Sequence, residues 1–128
     1  MTEAIELPRQ FASLYGSQDT IGLAGLFAPD ATFQSLTGRF LEGRDQIATG
    51  LEEEFLGVSR MARLVSGKAS QRMLGPGAAI LHQRLVVTGL RDANGSELPR
   101  IGAMLTAVVA AQADGWQILS ATFAILDP

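Results

Sequence analysis

Apolar residues recur at helical spacing in the first part of the chain and at strand spacing in the second half. Ile5, Leu7, Phe11, Leu14 and Tyr15 mark a first helix, with Pro8 tolerated in its first turn and Gly16 as its C-cap. Asp19 or Thr20 caps a second, short helix running through Phe27, with Ile21, Leu23, Leu26 and Phe27 as its apolar residues. Gly22 and Gly25 each cost that helix about 1 kcal/mol relative to alanine, which points to close packing or a loosely held helix. Pro29-Asp30 breaks the helical pattern, because proline lacks the N–H donor and clashes with the preceding turn. Ala31 to Leu36 reads as a short strand, Gly38 as a reversal, and the residues up to Gly43 as a second short strand. A third helix opens at Arg44 and reaches about Leu56, with Ile47, Leu51, Glu54 and Phe55 marking its spacing. Glu52-Glu53-Glu54 reads as solvated helix surface, since consecutive helical residues point in different directions. The stretch from Leu26 to Ile47 is the corner from which the earlier helices and the later strands hang.

From Arg60 the period changes. Arg60 to Leu74, Ala78 to Leu90, Leu98 to Gln112 and Trp116 to Leu126 read as long strands. They are joined by Gly75-Pro76-Gly77, a hairpin loop at Asp92-Ala93-Asn94-Gly95-Ser96 and a turn at Ala113-Asp114-Gly115, which makes an antiparallel meander. Strands this long are expected to twist, bend or bulge. In the third, Ile101, Ala103, Leu105, Ala107 and Val109 share one face and Met104, Thr106, Val108 and Ala110 the other. In the last, strict alternation sets Trp116, Ile118, Ser120 and Thr122 against Leu119, Ala121, Phe123 and Ile125. Both faces are largely apolar, whereas a half-solvated antiparallel sheet alternates apolar and polar. The helices can cover one face. A second copy of the chain, packed sheet to sheet about a two-fold axis, is the expected cover for the other.

Composition narrows the function classes. The 128 residues fit one domain, 1–128, and at 47% hydrophobic and 18% charged the chain is globular. The net charge of −3, the single lysine Lys68 and the scattered arginines argue against a nucleic-acid partner. The N-terminal MTEAIELPRQ has no basic n-region or long apolar core, and no apolar run approaches the roughly 18–20 residues that span a bilayer, so neither export nor a membrane is expected. The absence of cysteine removes disulfides, thiol nucleophiles and cysteine metal sites and fits a cytoplasmic protein. One histidine and unpaired carboxylates leave no metal-ligand spacing, and no redox-cofactor or phosphate-loop motif is present, so no metal and no cofactor is expected.

The order of these elements resembles the nuclear transport factor 2-like (SnoaL-like) superfamily, and within it the SgcJ/EcaC group. The resemblance is carried by Asp19 with Leu26-Phe27, Asp30-Ala31 and Phe33; by Gly38, Gly43 and Ile47; by Leu74-Gly75-Pro76-Gly77-Ala78-Ala79-Ile80-Leu81-His82; and by Gly115-Trp116-Gln117-Ile118. It implies an α+β fold in which a curved, mostly antiparallel sheet wraps into a cone around three N-terminal helices, with a ligand pocket inside. Such pockets are mainly apolar with a few placed polar groups. The expected lining is Tyr15, Phe33, Ser35, Gln83, Leu105, Trp116, Ser120 and Thr122, with Arg39, Arg60, Arg63 and Arg100 near the rim.

The resemblance also places the isomerase branch's general base near Ser35, its oxyanion-donating tyrosine near Phe11 and its protonated carboxylic acid near Ala107. None of these carries the required group, and placed acid–base groups are worth about 10²–10⁴-fold in rate. Tyr15, one turn from Phe11, is a substitute donor, and His82 is the default acid–base candidate. In an isomerase-like register His82 faces away from the cavity, towards a sheet–sheet interface, and a one-residue bulge would reverse that parity. A Ser35–His82–Asp30 triad has no nucleophile elbow to support it. Three readings follow. The first is a homodimeric binder of a small apolar or amphipathic molecule, in bacterial secondary metabolism. The second is an isomerase, cyclase or hydratase acting on a polyketide-like or steroid-like substrate through Tyr15, Ser35 and His82. The third is a structural dimerisation module with a filled cone.

Overall fold

A computed structural model describes residues 3–126. The domain expected over 1–128 extends two residues beyond that range at each end, including the first two residues of the N-terminal segment read above. A 3₁₀ turn, Ala4–Glu6, leads into α1, Leu7–Gly16, with Pro8 in its first turn. Leu7, Phe11 and Tyr15 follow one another at four-residue steps and are all buried. The Asp19 side chain caps α2, Thr20–Gly25, by accepting the Gly22 N–H at 2.8 Å.

The second helix stops two residues before Phe27 because the sheet takes the backbone over. The Ile118 N–H donates to Leu26 O at 2.8 Å, and β1 runs Phe27–Gln34. Pro29-Asp30 therefore lies inside a strand and does not end a helix. The pairing of β1 with β6 shifts register between Phe27 and Thr32, and a proline is tolerated where the ladder is interrupted. Arg44 holds the interruption from below, donating Nε and Nη2 to Phe27 O at 3.1 and 2.6 Å. A reversal through Gly38, at φ +87°, leads to β2, Phe40–Glu42, and Gly43 turns into α3, Arg44–Leu56, the span expected for the third helix.

The meander follows as β3 Arg63–Gly75, β4 Ala78–Thr88, β5 Ile101–Gln112 and β6 Gly115–Ile125. Two strands begin three residues later than the apolar pattern suggests. Residues 57–62 are tied into turns by bonds such as Ser59 N–H to Glu54 O, and Leu98 N–H is used by Leu90 O. The strand order is β2-β1-β6-β5-β4-β3, antiparallel throughout except for the parallel pair β1 and β6. The sheet is open, curved, and covered by the helices on its inner face. The fold class is α+β, as expected.

The expected bulges are present, and one of them changes the faces. Val108 pairs with Ser120 while Val109 pairs with Ile118, so Leu119 is an extra residue on β6. Parity flips there. Ile118, Ala121 and Phe123 point inward and are buried, while Ser120 and Thr122 point outward. The alternation read from sequence holds on β5, where Ala103, Leu105, Ala107 and Val109 are buried, but fails on β6.

This parity is testable by equilibrium urea unfolding. Phe123→Ala should cost about 3–5 kcal/mol, the usual cost of emptying a ring's place in a core. Thr122→Ala should stay within about 0.5 kcal/mol, as surface substitutions do. The reverse order would place the bulge elsewhere.

Candidate functional site

The interior of the cone is lined by rings. Phe11 meets Tyr15, Phe33 and Phe123 at centroid distances of 5.8, 6.0 and 5.6 Å. Tyr15 meets Phe55 at 4.9 Å and Phe123 at 5.8 Å, both edge to face, and Phe27 meets Phe33 at 5.3 Å. Edge-to-face geometry is the favoured arrangement for packed rings and adds about 0.5–1.5 kcal/mol per pair to their burial. Phe33 and Leu105, expected in a pocket wall, are buried in this packing, and Trp116 is half-buried against it. The concavities found among the described residues open on the surface. One of about 570 Å³ lies between α1 and Leu26, and one of about 330 Å³ lies over the bulge of β3.

A buried polar cluster sits at one end of the ring stack, between α1, the C-terminal end of α3 and the 35–39 corner. Tyr15 Oη and Ser59 Oγ share a hydrogen bond at 2.9 Å. Ser59 is only 1% exposed, and its N–H donates to Glu54 O at 2.9 Å. Glu54 is 5% exposed, although it belongs to the run expected to be solvated. Its position in the i, i+4, i+7, i+8 set Ile47, Leu51, Glu54, Phe55 is the sequence signal for burial, and it outranks the charge of the run.

Thr37 Oγ1 donates to Glu54 Oε2 at 3.0 Å. With its single proton so used, Thr37 accepts from Ser35 Oγ at 3.1 Å, and Ser35 Oγ in turn accepts the Arg39 N–H at 3.3 Å. This makes a directed relay from the exposed corner to the buried carboxylate. Arg39 closes over it with an ion pair to Glu53 at 2.9 Å. Glu54 Oε1 ends the relay without a partner. Among the described residues it is the one buried side-chain polar atom left so, and such an atom forfeits about 1–3 kcal/mol of solvation.

The other candidates fall elsewhere. Gln83 is buried, but its Nε2 staples the β3 bulge, donating to Arg84 O at 2.8 Å, Gly67 O at 3.0 Å and Lys68 O at 3.4 Å. His82 is exposed on the outer sheet face, paired in register with Ser70 and Thr106. Ser120 and Thr122 are corrected to the outer face, where Ser120 Oγ and Thr32 Oγ1 share a hydrogen bond at 2.9 Å. Tyr15, Ser35 and His82 therefore do not converge. Arg60 Nη1 is bonded to Gly57 O at 3.0 Å, and Arg63 lies on the outer face of β3. Ser59, Thr37 and Glu54 were not anticipated in the site. Ser59 and Thr37 sit in turns whose path no periodicity announces. No group of three or more potential metal-ligating side chains gathers among the described residues.

No family model matches the chain, and no curated protein matches it. Solved structures do. An uncharacterised protein from Caulobacter vibrioides with a cystatin-like fold superposes with a TM-score of 0.85 at 20% identity, over 95% of this chain and 86% of that one. A nuclear transport factor 2-like protein from Novosphingobium aromaticivorans gives 0.77 at 19% identity, over 98% and 80%. The fold is cystatin-like, of the nuclear transport factor 2-like kind. A ketosteroid isomerase-like protein from Erwinia carotovora atroseptica gives 0.81 at 14% identity, over 97% and 95%. No helix among the described residues is long and apolar enough to cross a membrane.

Burial pushes the Tyr15 phenol up to about 12; its bond to Ser59 opposes the shift and the nearby Glu54 carboxylate adds to it. Unfolded, the same phenol titrates near 10. The folded state therefore holds the proton longer, and stability is complete below pH 10 and falls as pH rises from 10 through 12. The loss amounts to about 2–3 kcal/mol. Tyr15 is the one tyrosine in the chain, so tyrosinate absorbance reads it directly. Its midpoint should lie near 12 in the folded protein and near 10 in urea, and a folded midpoint near 10 would contradict the burial.

Proposed function

We propose that this chain is a cytoplasmic homodimer that binds a small amphipathic molecule at the polar end of its cone. The apolar part would lie against Tyr15 and Phe55, and a hydrogen-bond donor (an amine or a hydroxyl) would face Glu54. The observation that carries the reading is the unpartnered Glu54 Oε1, buried in a cluster whose four hydroxyls, on Tyr15, Ser59, Ser35 and Thr37, are each bonded elsewhere. A donor there would recover solvation that nothing else in the cluster supplies. Access is through the corner. Thr37 and Arg39 are exposed, and the ion pair holding Arg39 has 44% and 58% of its side chains in solvent, where such pairs contribute little. Opening residues 36–39 would uncover Glu54 and would draw Leu36 out of the core and release the bond from Ser35 N–H to Arg39 O.

The dimer is proposed through the outer sheet face, where Ile80, Met104, Thr106, Val108 and Ala110 form a half-exposed, uncharged centre. The SgcJ/EcaC motifs support a role in bacterial secondary metabolism. The enzyme reading is weaker, since Ser35 spends its hydroxyl in the relay and His82 lies across the sheet from Tyr15. The packed rings favour a second reading, a structural dimerisation module whose cone takes no ligand.

Native mass spectrometry of the purified protein separates the two. The binding reading expects a dimer with a stoichiometric extra mass that Glu54→Leu abolishes while the dimer persists. The module expects no extra mass, and a Glu54→Leu variant more stable by about 1–3 kcal/mol because the orphaned acceptor is gone. In either case Val108→Asp should split the dimer, and its persistence would move the interface off this face.

A further inference from the structure

A concavity lies on the outer face of the sheet, at the end where β3 begins and β6 finishes. The sheet curves around its helices, so this face is the convex one, and a hollow of about 330 Å³ in it needs a local cause. Gly102 supplies one. Its row across the strands runs Val65, Val86, Gly102, and then Leu126, whose N–H donates to Gly102 O at 2.9 Å. A glycine inside a strand weakens it, and its usual reasons are a positive φ, a bulge, crowding at Cβ, or the close approach of a ligand or a second backbone. The first three do not hold at Gly102. Its φ is not positive, its pairing with Val86 continues in register through Leu85 and Ala103, and an added Cβ would meet only Leu126 Cβ, at an ordinary 3.9 Å. The missing side chain opens the floor of the groove between Val86 and Leu126.

The rim of this groove carries charge of one sign. Arg84 stands one row along on β4, and Lys68, the single lysine of the chain, lies in the β3 bulge between Ser66 and Ala69. Gln83 staples that bulge from the inner face through Gly67 O, Lys68 O and Arg84 O, so the backbone beneath both cations is fixed. The four long strands hold Arg63, Lys68, Arg72 and Arg84 and no carboxylate, in a chain whose net charge is −3. Lys68 and Arg84 are exposed, and the ion pairs among the described residues involve neither. Val65 and Val86, 59% and 38% exposed, make the wall apolar.

Two cations at one end of an apolar trough suit an anion that carries a tail. A volume of about 330 Å³ stands at the lower end of the roughly 300–1,000 Å³ of small-molecule sites. A guanidinium takes a carboxylate through two parallel hydrogen bonds, and a lysine beside it adds a point charge. We infer that this groove binds a small amphipathic carboxylate, its head between Lys68 and Arg84 and its tail along Gly102. The site is separate from the Glu54 pocket and opposite to it in charge preference, and each stands or falls without the other.

Octanoate and octanol, titrated into the isotope-labelled protein and followed by amide NMR shifts, are the probes. Octanoate should bind saturably, shift the amides of Gly67, Lys68, Gly102 and Leu126, and bind about 10-fold tighter than octanol in 50 mM salt, a preference that narrows in 0.5 M salt. The Lys68→Gln/Arg84→Gln double variant, which leaves the floor untouched, should bring the two probes level. Gly102→Val fills the floor with a side chain suited to strands, so it should abolish octanoate binding while raising the urea midpoint. Equal binding of the two probes by the parent, or octanoate binding that survives Gly102→Val, would overturn the site. Octanoate shifts centred on Tyr15 and Phe55 would overturn it too and assign the ligand to the cone. If the parent ignores octanoate and Gly102→Val alters the dimer's dissociation constant, the groove belongs to a second copy and the carboxylate site is refuted.

Discussion

The N-terminal half reaches the meander through one parallel pairing, β1 against β6, and most of the architecture depends on it. The bond from Ile118 N–H to Leu26 O converts the end of α2 into the start of a strand. From there Phe27 and Phe33 are delivered to the inner face, and Arg44 clamps Phe27 O from the first turn of α3. Parallel strands cannot be joined by a tight turn, so the pairing must bridge residues about 90 apart in sequence. Next to it on β6 sits the Leu119 bulge, which decides that Phe123 enters the core. A single extra residue in β6 therefore determines which rings meet Phe11.

Most of the fold was legible because it rests on local signals. Four-residue steps of apolar residues gave α1, and Arg44 to Leu56 emerged with its boundaries because Gly43 starts it and the apolar stripe runs its length. The turns at Gly75 to Gly77 and Asp92 to Ser96 were legible from glycine, asparagine and aspartate alone. What was lost is non-local. Pro29-Asp30 looks like a helix stop and is a strand interruption, because the partner that accommodates it is β6. The outward turn of Ser120 and Thr122 follows from a bulge whose only expression is a register shift against β5. Strict alternation could not reveal it, since one inserted residue reverses every side chain beyond it.

The candidate site was legible in part for the same reason. Tyr15 lies on α1, and Ser35 is one residue past the end of β1, continuing its alternation, so both inward positions are read from periodicity. Thr37 and Ser59 lie in turns, and their meeting with Glu54 depends on how the corner folds back over α3. Glu54 itself was visible in the spacing of Ile47, Leu51 and Phe55, and the adjacent Glu52 and Glu53 disguised it as solvated surface. A carboxylate kept on the buried stripe of a helix works against stability, and a leucine there would complete the stripe for the loss of one bond, from the exposed Thr37. Its presence is a reason to look for something it binds.

The filled cone and the buried carboxylate limit the ligand in size as well as chemistry. Six aromatic rings occupy the deep part of the cone, and emptying one ring's place costs about 3–5 kcal/mol, comparable with a weak ligand's whole affinity. A molecule of steroid dimensions would have to displace several of them. A smaller one needs the corner to move, which is held over Glu54 by bonds through the exposed Thr37 and Arg39 and by the burial of Leu36. The chemistry of the end wall then sets the polarity of the guest. The Tyr15 phenol keeps its proton to about pH 12 and shares a single hydrogen bond with Ser59, and the buried atom left without a partner is the Glu54 Oε1 acceptor, so a complementary guest brings a donor to it.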